Sequence, residues 1–117
     1  MPMTSTAESV DPLADLRQAY IARLRARVDG LSKFVVACRD GAHDETHDEA
    51  TFAEYHRCVH SMISSAAIFG HPQLSASARC AERAFEAYAE TGKTTLVRQI
   101  EDLVLEAEVV LKSAGLQ

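Results

Sequence analysis

Five histidines, three cysteines and seventeen carboxylates are the groups in this 117-residue chain that could do covalent or ligand chemistry. Four of the histidines fall in two i, i+4 pairs, His43 with His47 and His56 with His60. An imidazole serves as a nucleophile when one ring nitrogen is held as N–H by an acceptor and the other keeps a free lone pair. Two imidazoles a helical turn apart can instead share a metal ion. The choice depends on which elements carry the rings and what lies opposite them.

The apolar pattern is helical throughout. Asp11-Pro12 starts a first helix, with Asp as the cap and Pro in the first turn, where its missing N–H costs nothing. Leu13, Leu16, Tyr20, Leu24, Val28, Leu31, Val35 and Cys38 then recur at spacings of three and four until Gly41. Asp48 is the expected cap of a second helix bearing Phe52, Tyr55, Val59, Met62, Ala66 and Phe69. Gly70-His71-Pro72 closes it and opens a third, with Leu74, Ala78, Ala81, Phe85 and Tyr88 on one stripe and Gly92 as its stop. A fourth, capped by Thr94, carries Val97, Ile100, Leu103, Val104, Ala107, Val110, Leu111 and Ala114 up to Gly115. No alternating β-branched run competes. Short connectors between helices two, three and four make them antiparallel neighbours, so residues 11–117 are expected to form an all-α, antiparallel up-down-up-down four-helix bundle behind a flexible leader, residues 1–10. Four complete seams in one chain predict a monomer.

Within that frame His60 lies about 100° round the second helix from Val59, at the edge of the core and open to solvent. His56, Arg57, Ile63, Ser64 and Ala67 share its face. Ten positions separate His60 from Gly70, and ten separate Pro72 from Glu82. In an antiparallel hairpin both residues stand about 15 Å from the turn, which sets the carboxylate of Glu82 beside the imidazole. It would accept the Nδ1–H bond and leave Nε2 free.

The run from His60 to Glu82 resembles the signature of histidine-containing phosphotransfer (HPt) domains. Met62, Ser65, Ala66, Gly70, Leu74, Ala78, Ala81 and Glu82 match that pattern in register. Ile63 and Ser64 depart from it, standing where the family usually has Lys and Gly. The resemblance implies a phosphoryl carrier with no ATP site of its own, in which His60 accepts the group through Nε2 and Glu82 orients the ring. It implies transfer between receiver-domain aspartates, or from a sensor or hybrid histidine kinase. It implies no resident cofactor, any Mg²⁺ being held by the receiver. With Lys absent, Arg57 is the candidate cation for the phosphoryl oxygens and Arg79 a second. Ile63, Ser64, Ala67 and His56 are the expected docking residues, and Ile63 and Ser64 leave open the alternative of an HPt-like module that docks receivers or kinases without transfer.

Composition narrows the remaining classes. A net charge of −5 argues against a nucleic-acid binder. Six of the twelve basic residues nevertheless fall between residues 12 and 39, as a solvated helix face or a docking stripe for an acidic partner. No segment has the length and apolarity of a membrane span, and no secretory signal pattern opens the chain, so a cytoplasmic location is expected. Cys38, Cys58 and Cys80 predict reduced interior thiols. His43, His47, His56, His60 and Cys58 offer donors enough for zinc. However, the first two lie in a connector and Cys58 points away from the face of His56 and His60, so no metal site is expected. Gly92-Lys93-Thr94 is similar to the end of a phosphate-binding loop, yet Ala87 stands where the earlier glycine belongs and no strand precedes it.

Overall fold

The computed structural model describes residues 12–40 and 48–115. The leader, the Asp11 cap, the Gly41 stop, and His43 and His47 lie outside the described residues. Among these residues four helices follow in order: α1 Pro12–Asp40, α2 Glu49–Ile68, α3 Pro72–Glu86 and α4 Tyr88–Ser113. They form the all-α four-helix bundle, in which α3 packs closely on both α2 and α4 and α1 rests mainly on α4. None is long and apolar enough to cross a membrane among the described residues.

Each helix begins and ends for a local reason. The Asp48 carboxylate accepts from the backbone N–H of Ala50 and Thr51 at 3.1 and 3.4 Å and from the Thr51 hydroxyl at 2.9 Å, covering donors that the helix leaves unpaired. The bonds from Thr51 hold its carboxyl below the ordinary value. At the other end of α2, Gly70 takes φ 83°, a left-handed conformation that only glycine enters cheaply, and Pro72 opens α3. The turn is anchored to α1: Tyr20 stacks on Phe69 with ring centroids 4.4 Å apart, and its hydroxyl hydrogen-bonds to Nδ1 of His71 at 2.9 Å.

The α3–α4 reversal differs from the expectation. The third helix stops at Glu86, six residues before Gly92, and Ala87 serves as both its last cap and the first of α4. One helical turn later the chain breaks at Gly92, with φ 84° and ψ −179°, before continuing to Ser113. Tyr88 therefore belongs to α4, and Thr94 lies inside that helix and does not cap it.

The core follows the seams, with shifts at their ends. Leu24, Val28, Leu31, Cys38, Val59, Met62, Leu74, Ala78, Ala81, Ile100, Leu103 and Leu111 are buried together with Phe34 and Leu96, two residues outside the predicted stripes. Phe34 lies between Tyr55 and Phe85, at 4.7 and 6.2 Å. Leu13 and Leu16, by contrast, are 64% and 56% exposed. The α2–α3 turn packs at Tyr20, and before that level Ala14, Arg17 and Gln18 share an open groove with Ala114 at the end of α4, so the apolar stripe at the start of α1 is left largely open to solvent. Cys38 is buried and Cys58 half-buried, but Cys80 is exposed, which corrects the expectation of three interior thiols. Position 80 lies about 200° round α3 from the core residue Ala78 and therefore faces outward.

Part of the basic stripe on α1 is occupied within the fold. Arg25 bonds Asp29 at 3.1 Å and Glu108 of α4 at 3.3 Å, and Arg39 pairs with Glu101. Arg17 and Arg23 remain exposed.

Candidate functional site

The site lies on the outer face of the α2–α3 hairpin. Val59, Met62, Ile63 and Ala66 turn their side chains into the core and thereby fix the rotation of α2. His60, next to Val59 in sequence, is left on the outside with 71% of its side chain exposed. On α3, Ala78, Ala81 and Phe85 face the same core, and Glu82 sits at the edge of that stripe with 19% of its side chain exposed. The two meet: Nδ1 of His60 hydrogen-bonds to Oε2 of Glu82. With Nδ1 bonded and the rest of the ring in solvent, Nε2 is the nitrogen left to react. The neutral ring then carries its proton on Nδ1 and donates it to the carboxylate.

The register of the hairpin is held from inside. The Ser75 hydroxyl donates to the backbone carbonyl of Ile63 at 2.9 Å, a buried bond that crosses from α3 to α2 a turn below the histidine. Ile63 itself is only 7% exposed. It belongs to the core and contributes nothing to a docking patch, because 59, 62, 63 and 66 together make the i, i+3, i+4, i+7 stripe that faces α3. Ser64 and Ala67 are exposed beside the histidine, and His56 is half-exposed.

Of the two candidate cations, Arg57 lines the open groove that also contains His56, His60, Ser61, Glu82 and Glu86. Arg79 is exposed on α3 but is not part of that groove.

The structure adds a partner that the sequence analysis missed. His56 lies flat against Phe85, with ring centroids 5.3 Å apart and planes 2° from parallel, and its Nε2 is 3.9 Å from Oε2 of Glu86. The signal was available. Fourteen positions separate His56 from Gly70 and fourteen separate Pro72 from Glu86, the same symmetric count that pairs His60 with Glu82. The hairpin thus sets two His–Glu rungs one helical turn apart. Cys58, on the same helix, joins neither: it packs against the core, where burial raises its thiol above the usual value against the opposing charge of Arg27, with Glu54 adding a smaller push.

No protein-family model matches the chain, and no curated protein or solved structure matches it either.

Proposed function

We propose that the chain is a histidine phosphotransfer protein, in which His60 carries a phosphoryl group between receiver-domain aspartates, or from a sensor or hybrid kinase, in a cytoplasmic phosphorelay. The observation that carries this reading is the exposed imidazole whose Nδ1 is tied across the hairpin to Glu82. In the forward step the Nε2 lone pair attacks phosphorus of an aspartyl phosphate, the N–P bond forms, and the P–O bond to the aspartate breaks with release of its carboxylate. The ring gains positive charge as the bond forms. Glu82 stabilises that charge while the proton stays on Nδ1. Arg57 stands in the groove as the cation for the phosphoryl oxygens, since the family's lysine position is the buried Ile63. The protein needs no nucleotide or metal for this chemistry, because the donor is already activated and Mg²⁺ belongs to the receiver. It is expected to act as a monomer.

Incubation with a phosphorylated receiver domain should place an acid-labile, base-stable phosphoryl group on the wild-type protein. His60→Gln should accept none while retaining its helical content. A variant that labels normally would refute the assignment of His60. Receiver binding without any labelling of the wild type would select the alternative of a docking module, which the replacement of lysine by buried Ile63 favours.

A further inference from the structure

We infer that the second rung of the hairpin, together with Glu82 of the first, is a transition-metal site: His56, Glu82 and Glu86 bind one Zn²⁺ and so draw Glu82 away from His60. The three residues present one imidazole nitrogen and two carboxylate oxygens that all lie within 4.8 Å of one another. An imidazole with carboxylates suits zinc, which takes nitrogen at about 2.0–2.1 Å and carboxylate oxygen at about 2.0–2.2 Å. Tetrahedral ligands at such distances stand roughly 3.4 Å apart. The separation of 3.9 Å between Nε2 of His56 and Oε2 of Glu86 is too long for a hydrogen bond and within half an ångström of that spacing.

Two features make the set more than neighbouring polar groups. The ring of His56 is held by its stack on Phe85, a core residue, which fixes the plane from which Nε2 projects. Glu82 and Glu86 are like charges at i, i+4 on one helix face, and a cation between them would relieve their repulsion. The imidazole selects against Mg²⁺ and Ca²⁺, which prefer oxygen alone. His60 is not in the ligand set, but it competes for Glu82. Zinc would therefore act on the orienting bond of the neighbouring histidine. Binding stands independently of phosphotransfer, and only this consequence rests on the phosphocarrier function.

Titration calorimetry of the untagged protein with Zn²⁺ should give one site per chain. Glu86→Gln should weaken that site at least about tenfold, since even groups behind metal ligands are worth 10- to 100-fold. Glu86 is exposed, so this variant keeps the fold. His56→Ala should behave alike, and His60→Gln should bind zinc at least as tightly as wild type because Glu82 is released. Full affinity in Glu86→Gln, loss of binding in His60→Gln, or displacement by millimolar Mg²⁺ would each overturn the site. In the labelling assay, stoichiometric zinc should slow phosphorylation of wild-type His60 and leave the rate of Glu86→Gln the same with and without metal. Equal inhibition of both would overturn the coupling alone, whereas a wild type that takes no label without zinc would count against phosphotransfer and leave the metal site standing.

Discussion

The two nitrogens of His60 have different surroundings, and that difference has kinetic consequences. Glu82→Ala removes the acceptor for Nδ1–H, so both tautomers become accessible and the developing ring charge loses its counter-ion. Transfer from a phosphorylated receiver should slow by at least about 10- to 100-fold, the range found where a carboxylate that orients a metal-bound imidazole is lost. Arg57→Ala should slow it by about tenfold, equivalent to about 1.4 kcal/mol of lost charge stabilisation, with Arg57→Lys recovering most of the rate. Initial rates of label transfer at matched helicity test both variants, and an unchanged rate in either removes that residue's role. His60 and Glu82 could be paired from sequence because each is displaced by one or two positions from a strong seam. The place of Ile63 was missed because an aliphatic residue beside a polar histidine suits an outer patch as well as the core, and only the adjacent Met62 and Ala66 show that the stripe is wide enough to include it.

At the scale of elements, the helix ends were more legible where a side chain makes the end than where the backbone alone does. Asp48 and Pro72 act where their types predict. The α3–α4 reversal uses Ala87, a residue with no side-chain signal for a turn, and Gly92 marks a later break inside α4. The Asp48 cap has a pH signature. Its carboxyl is held below the ordinary value by the bonds from Thr51, so its stabilisation is complete above the pKa of an unfolded aspartate and is lost as pH falls through the lower folded value. Asp48→Ala should therefore unfold at lower temperature than wild type near neutrality, and the gap should narrow on acidification through that window. Thermal melts across the acid range test this, and a gap independent of pH would mean that the cap does not act through its charge.

Over the whole molecule, one core sets the reactivity of the three thiols. Exposed Cys80 should be alkylated first. Half-buried Cys58, whose thiol is pushed up by burial, should follow slowly, and Cys38 should react only on global unfolding. Mass spectrometry of a timed alkylation gives the order directly, and early labelling of Cys38 would contradict the packing around Phe34. Four helices and their antiparallel order were legible because their apolar stripes are long and regular. The exposure of the first part of the α1 stripe was not legible, since Leu13 and Leu16 continue its spacing and yet stand 64% and 56% exposed.

The turn at Gly70 works as a ruler with two equal arms. Inserting one residue between Pro72 and Glu82 would swing everything beyond it by about 100° and advance it about 1.5 Å along the axis. Both carboxylates would then leave the histidine face together. A deletion on the α2 arm would do the same from the other side, and only a change that restores the residue count of that arm brings the match back. Length changes should be accepted in the exposed start of α1 and refused between His56 and Glu86.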